Sequence, residues 1–342
     1  MNLRENVPLA PLTTLGAGGA AKFFIHAQTE KDIDDALACA EVKGLSVWVL
    51  GNGSNILVPD AGVEDVVLKM ALDGIAFEAA DDETLLVAGA GTPWEEVVDV
   101  AGAHDLFGIE NLAGIPGTVG GAAVQNIGAY GAELADVFEY VDGIDGVTGE
   151  HKQVARAEAA FAYRTSVFKK HRAYIVTRVA LRLSKHAKPN LAYPDLTRAR
   201  ERGVPLSTPS EIARAVRAIR ADKFPRIAAE GTAGSFFKNP LISRELADSL
   251  AERFDGLPVF LQENGRAKIS LAWLLDHALA LKGFAKGRVR LYEKQPLVIV
   301  VRAGATAKEI DSFANEIAEK VFSATGIRIE REVETFGAQK EI

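Results

Sequence analysis

Residues 114–131 read Gly-Ile-Pro-Gly-Thr-Val-Gly-Gly-Ala-Ala-Val-Gln-Asn-Ile-Gly-Ala-Tyr-Gly, six glycines in eighteen residues. Glycine loses more backbone entropy on folding than any other residue, so this density needs a compensating reason. A low-complexity linker would be polar and repetitive, yet Ile115, Val119, Val124 and Ile127 are interleaved here. Two readings remain: main chain lying against a large planar cofactor, or a glycine-rich structural crossing.

A second glycine loop lies upstream. Val47-Trp48-Val49-Leu50 has the pattern of a short buried strand and runs straight into Gly51-Asn52-Gly53-Ser54-Asn55. Two glycines there let main chain approach an anionic group, and backbone N–H groups with serine and asparagine side chains supply hydrogen bonds. The dinucleotide fingerprint of the Rossmann fold would need glycine at position 56, which is Ile56, and no Gly-Lys-Ser/Thr follows as in a nucleoside-triphosphate loop. By itself the segment reads equally as a tight turn.

Composition bounds the class. A chain of 342 residues exceeds one ordinary core, so two or three domains are expected. Hydrophobic residues at 48% and charged residues at 25% are the balance of a globular protein, and the net charge of −7 argues against an extended nucleic-acid surface. Met1-Asn2-Leu3-Arg4-Glu5-Asn6 carries no apolar signal core, and no run reaches membrane-spanning length, so a cytoplasmic location is expected. Cys39 is the single cysteine, which rules out an internal disulfide or cysteine cluster; the six histidines show no metal-ligand spacing. No metal is expected.

Strands and helices alternate with clear stops. Thr29 opens a helix with Ile33, Ala36, Leu37 and Ala40 on one face and Cys39 near it. Thr92-Pro93-Trp94-Glu95 has the signature of a helix start, with a hydroxyl cap, proline at the first position and glutamate three residues after the cap. The signature recurs at Thr208-Pro209-Ser210-Glu211, and Thr306-Ala307-Lys308-Glu309 opens a helix whose face is Ile310, Phe313, Ala314, Ile317 and Val321. Pro189, Pro194 and Pro205 place a boundary between Ser184 and Pro209. Residues 1–183, a linker 184–205 and residues 206–342 are the expected segments. Ile327 to Glu334 alternates as a strand, with Arg328, Glu330, Glu332 and Glu334 on one face.

Residues 231–240, Gly-Thr-Ala-Gly-Ser-Phe-Phe-Lys-Asn-Pro, concentrate chemistry in the second half. A hydroxyl able to give a proton lies between a glycine and two aromatics, with a cation and an amide behind it. A phosphate-binding turn is the rival reading.

Five motifs in order resemble the UDP-N-acetylenolpyruvoylglucosamine reductase (MurB) family of flavoenzymes, in its long-lid type. They are Gly51 to Asn55; Gly114-Ile115-Pro116-Gly117 through Asn126-Ile127-Gly128-Ala129-Tyr130-Gly131; Tyr163-Arg164-Thr165-Ser166-Val167-Phe168-Lys169; Gly234 to Pro240; and Glu332-Val333. The resemblance implies an α+β chain. Its first part, up to about residue 183, would be an FAD-binding domain of the vanillyl-alcohol-oxidase type made of two α/β subdomains. A C-terminal α+β substrate-binding domain would follow. It implies noncovalent FAD, held by Gly51, Asn52, Gly53, Ser54, Asn55, Ile115, Pro116, Gly117, Gly120, Asn126, Ile127, Gly128 and Ala129, with NADPH as hydride donor. The implied reaction reduces UDP-N-acetylglucosamine enolpyruvate to UDP-N-acetylmuramate in bacterial peptidoglycan precursor synthesis, by a protein expected to be a monomer.

Site residues carry over by position. Arg164 matches the arginine on the substrate carboxylate, Ser235 the proton donor and Glu332 the third catalytic residue. Tyr163, Tyr193, Lys223 (the diphosphate contact), Lys238, Asn239 and Gln295 match the substrate side. Phe260 stands where long-lid members carry a tyrosine, so that hydroxyl contact is absent. From the residues alone, Arg164 reads as a surface arginine, Ser235 equally as a turn serine or a functional hydroxyl, and Glu332 as part of a solvated strand edge, with nothing to prefer it over Glu330. Two other functions stay open: another FAD-dependent oxidoreductase acting on a sugar or hydroxy acid, and a non-catalytic UDP-sugar-binding protein.

Overall fold

The computed structural model describes residues 2–80, 83–186, 188–227, 229–262 and 264–337. The chain forms two compact units. The first comprises Met1–Val7, Ala21–Asn52 and Val63–Asp222; the second comprises Pro8–Ala20, Gly53–Gly62 and Lys223–Ile342. These units divide the chain differently from the segments 1–183, 184–205 and 206–342. The stretch 184–205 contains a helix, Pro194–Glu201, whose Leu196 is fully buried in the core of the first unit. The next helix, Pro209–Lys223, buries Ile212, Ala213, Ala215 and Val216 in that same core. Apolar burial assigns both helices to the first unit.

Within the first unit one sheet runs Leu3–Pro8, Ala20–Ala27, Val63–Met70, Val47–Leu50, with parallel pairing in its last two junctions. Val47–Leu50 is an edge strand. Leu50 alone of its residues is buried, so the continuous burial expected of it is confined to the end that meets the glycine loop. The helix Glu30–Lys43 is capped by Thr29 and Asp32 reciprocally and buries Ile33, Ala36, Cys39 and Ala40. A second, antiparallel sheet runs His151–Ala155, Phe138–Asp145, Tyr174–Leu183, Glu83–Gly89, Ile75–Ala80. The helices Trp94–Ala103 and Val119–Gln125 bury residues in the same core.

The helix start at Thr92 differs from the expectation. The helix is Trp94–Ala103, flanked by Pro93 with no side-chain cap. Thr92 is fully buried, and its hydroxyl donates to Asp73 Oδ1 at 2.8 Å. A cap hydroxyl has to accept from a first-turn N–H; this one instead donates to a carboxylate, a charge-assisted bond that orients it towards Asp73. The capping boxes at Thr208 and Thr306 form as expected.

Within the second unit a four-stranded sheet runs Gly231–Ser235, Val298–Val301, Val289–Leu291, Ala285–Lys286, and a three-stranded one runs Leu241–Ile242, Ala267–Ile269, Val259–Leu261. The helix Ala307–Thr325 buries Ile310, Phe313, Ala314, Ile317 and Val321, the face expected of it. The strand expected over Ile327 to Glu334 is broken. Residues 330–332 bond to residues 236–238, whereas Glu334–Thr335 pairs in parallel with Ile56–Leu57. Two different partners in succession leave no continuous ladder.

Candidate active site

In the first unit the beginning of the upstream loop meets the long glycine segment. The Asn52 side chain donates to Gly117 O at 3.3 Å. Lys69, on the strand Val63–Met70, donates to Gly51 O at 2.5 Å and to Asn52 Oδ1 at 3.2 Å. Burial pushes the Lys69 ammonium pKa down. A partly desolvated cation beneath a loop supplies charge for an anion above it. No motif signalled Lys69; it reads as one polar residue among apolar strand neighbours.

The turn at Gly114 is held from two sides. Its N–H donates to Glu95 Oε2 at 2.6 Å, and its carbonyl accepts from Arg220 Nε at 2.9 Å. Arg217 pairs with Glu95 and Asp99. Tyr130, also in the segment, hydrogen-bonds Arg220, stands edge-on to Tyr193 at 5.1 Å, and has its phenol pushed up to about 12 by burial. Glu95 therefore braces the loop, where the sequence suggested part of a cap.

Close packing accounts for part of the glycine density. A Cβ on Gly120 would lie 2.9 Å from Ala90 Cβ, and one on Gly128 would lie 2.8 Å from Arg164 Nη1, so both positions serve close packing inside the protein. At Gly121, which is exposed, a Cβ would meet only Thr118 Oγ1 at 3.5 Å, so packing does not demand glycine there, and its N–H donates to the Thr118 hydroxyl that caps the helix. Ile115, Ile127 and Ala129 pack partly buried against the core, while Pro116 is exposed. The Asn126 side chain is committed to scaffolding: it donates to Glu133 Oε2 and Ala162 O and accepts from Ala135 N.

Arg164 belongs to the same unit. Its guanidinium donates to Gly128 O at 2.6 Å and Asn126 O at 3.4 Å, and lies 5.2 Å from the Tyr163 ring centroid. Tyr193 precedes the helix Pro194–Glu201.

The second unit holds Ser235 and Glu332 on adjoining segments. Phe236 and Phe237 are almost fully buried and anchor the chain after the serine. Glu332 N donates to Phe236 O at 2.8 Å, Lys238 N to Glu330 O at 2.9 Å, and Phe237 bridges Arg331. This antiparallel register sets Glu332 opposite the residue next to Ser235. Asn55 donates its side-chain amide to Glu332 O at 3.2 Å and accepts from Glu334 N, while Gly53 O accepts from Thr14 N. Ser54 lies in the turn between. Glu330 instead forms an exposed pair with Lys238 at 3.0 Å. Asn239 Oδ1 accepts from Leu271 N, Gln295 O from Val298 N, and Lys223 closes the helix Pro209–Lys223. Phe260 is 53% exposed on the strand Val259–Leu261.

Comparison with known proteins decides the relationship. A family model for an FAD binding domain matches residues 21–155, and a model of the UDP-N-acetylenolpyruvoylglucosamine reductase C-terminal domain matches residues 226–336. The UDP-N-acetylenolpyruvoylglucosamine reductase of Pseudomonas aeruginosa is 39% identical over 336 residues, 97% of this chain and 98% of that one. The chain belongs to the UDP-N-acetylenolpyruvoylglucosamine reductase family. Another reductase of the family, from Salmonella typhi, is 38% identical over 337 residues, 98% of this chain and 97% of that one. The crystal structure of the reductase from Thermus caldophilus matches with a TM-score of 0.66 at 28% identity, covering 97% of this chain and 99% of that one. The fold expected from the sequence, an FAD-binding domain of the vanillyl-alcohol-oxidase type with a C-terminal domain of this reductase family, therefore holds. The protein is an oxidoreductase with FAD as cofactor.

Proposed function

We propose that this member of the reductase family reduces UDP-N-acetylglucosamine enolpyruvate to UDP-N-acetylmuramate in the bacterial cytoplasm, as a step of peptidoglycan precursor synthesis. The observation that carries the reading is the register of 236–238 against 330–332, which sets a hydroxyl and a carboxylate on neighbouring segments. FAD, when bound, carries hydride from NADPH to the enolpyruvyl methylene. The Lys69 ammonium under Gly51 and Asn52 suits its diphosphate. Gly53, Ser54 and Asn55 complete that loop in this reading, with the Asn55 side chain holding the Glu332 segment.

Each residue then has a chemical task. Arg164 presents a planar fork to the substrate carboxylate and stabilises the enolate that develops there. Ser235 delivers the proton to the adjacent carbon. Glu332 supports the developing charge. Lys223 contacts the diphosphate, and Tyr163, Tyr193, Lys238, Asn239 and Gln295 serve the UDP-sugar. The Lys238–Glu330 pair is exposed, and such pairs are worth only about 0–1 kcal/mol, so a ligand phosphate can compete for the ammonium.

The purified protein is expected to be yellow, to bleach with NADPH and to recolour on addition of the enolpyruvyl substrate. The flavin should be released by acid or heat, because Cys39 is buried in the helix Glu30–Lys43 and offers no tether. Flavin left on the denatured chain, or colour that NADPH does not bleach, would contradict this reading.

Lys69→Met tests the loop. Hydrogen bonds from a charged group contribute about 1.5–3 kcal/mol, so the Kd for FAD should rise roughly 10- to 100-fold. Titration of the apoprotein with FAD, followed by flavin fluorescence, measures it. An unchanged Kd would mean the loop stands without its lysine.

A further inference from the structure

Arg164 is the third residue of a tight turn. Thr165 N donates to Ala162 O at 3.1 Å, Ala162 N donates back to Thr165 O at 3.0 Å, and Arg164 has φ +55°. A left-handed conformation at this place in a turn ordinarily selects glycine or asparagine. An arginine there is backbone strain that the surroundings must over-determine, and such strain concentrates at functional sites.

The surroundings are specific. Lys169 Nζ donates to the Arg164 carbonyl at 3.2 Å and to Gln125 Oε1. Lys169 is itself placed by the short helix Val167–Lys170, whose cap Ser166 accepts from Lys169 N at 3.2 Å and donates to Val124 O at 2.7 Å. Gln125 and Val124 end the helix Val119–Gln125, which also begins the run to Asn126 and Gly128, the two carbonyls under the guanidinium. One lysine therefore ties the strained backbone of Arg164 to the helix that precedes its carbonyl seat.

We propose that Lys169 is a positioning residue for Arg164: its ammonium bridges the Arg164 carbonyl and the Gln125 amide and holds the guanidinium ready for the substrate carboxylate. This rests on the assignment of Arg164 to that carboxylate. The device works through hydrogen bonding at a main-chain oxygen, so a neutral donor of similar reach should serve in its place.

The test is stopped-flow kinetics on the FAD-loaded protein, with flavin reduction by NADPH and flavin reoxidation by the enolpyruvyl substrate read separately. Displacement of a positioned group by about 1 Å costs on the order of 100-fold, so Lys169→Met should slow reoxidation roughly 10- to 100-fold and spare reduction and FAD content. Lys169→Gln should recover most of that rate. In an Arg164→Met background, Lys169→Met should add less than about a twofold further loss, the signature of one residue acting through another. Gln125→Met, which removes the ammonium's second acceptor, should reproduce the effect in part and serves where Lys169→Met fails to fold. An undiminished loss in the Arg164→Met background, equal damage to both half-reactions, or wild-type reoxidation in Gln125→Met overturns the proposal. If Arg164→Met alone reoxidises at the wild-type rate, the carboxylate role of Arg164 has failed, and the positioning role falls with it by a separate readout.

Discussion

Ser235→Ala is expected to leave reduction of the bound flavin by NADPH nearly intact while slowing its reoxidation by the enolpyruvyl substrate about 100- to 10,000-fold, the range spanned by positioned general acids. The two half-reactions make different demands, and only the second needs a proton at a substrate carbon. A serine hydroxyl is a weak acid in water, so its placement has to do much of the work. The strand Gly231–Ser235 pairs with Val298–Val301, and Phe236 and Phe237 sit in the core directly behind it. Removing one hydroxyl from a half-buried position should therefore barely move the melting temperature. Equal damage to both half-reactions would make Ser235 a structural residue.

Glu332→Gln should lower turnover roughly 100- to 1,000-fold, as loss of a group that meets charge developing only in the transition state does. Glu330→Gln should stay within about twofold of wild type, since Glu330 faces solvent and pairs with half-buried Lys238. Steady-state kcat and KM for the enolpyruvyl substrate separate the cases, because uniform binding would appear in KM alone. A dead Glu330→Gln beside an active Glu332→Gln would shift the assignment by two residues. Full activity in both would remove the carboxylate from the mechanism.

That pair also marks where sequence reading stopped. Arg328, Glu330, Glu332 and Glu334 alternate identically, and periodicity offers no reason to choose among them. Their partners differ only in the folded chain, where Glu332 N is found on Phe236 O and Glu332 O on the Asn55 amide, contacts reaching 96 and 277 positions along the chain. The broken strand at 327–334 has the same origin, since its hydrogen-bond partners lie at 236–238 and then at 55–57. The misread cap at Thr92 is a local version of it: the hydroxyl is oriented by Asp73, 19 residues away, and not by the helix's first turn.

Short-range chemistry was legible where a residue's partners lie within one turn of it. Hydroxyl and acidic residues three apart announced the helix starts at Thr208 and Thr306, and spacing announced the apolar faces of Glu30–Lys43 and Ala307–Thr325. The ordered glycine, arginine, serine and glutamate motifs carried the family, which the comparisons then showed over nearly the full chain. Sequence by itself thus determined the local elements, the cofactor class and the family, because each is written within a few residues or in the order of motifs. Tertiary structure alone decided that Lys69 underlies the first loop, that Glu95 and Arg220 brace the second, that Lys169 grips the Arg164 backbone, and that Glu332 lies opposite Phe236 while Glu330 lies opposite Lys238. The reason is physical: a polar side chain finds its partner by proximity in the folded chain, and neither residue type nor period encodes which distant carbonyl or amide that will be.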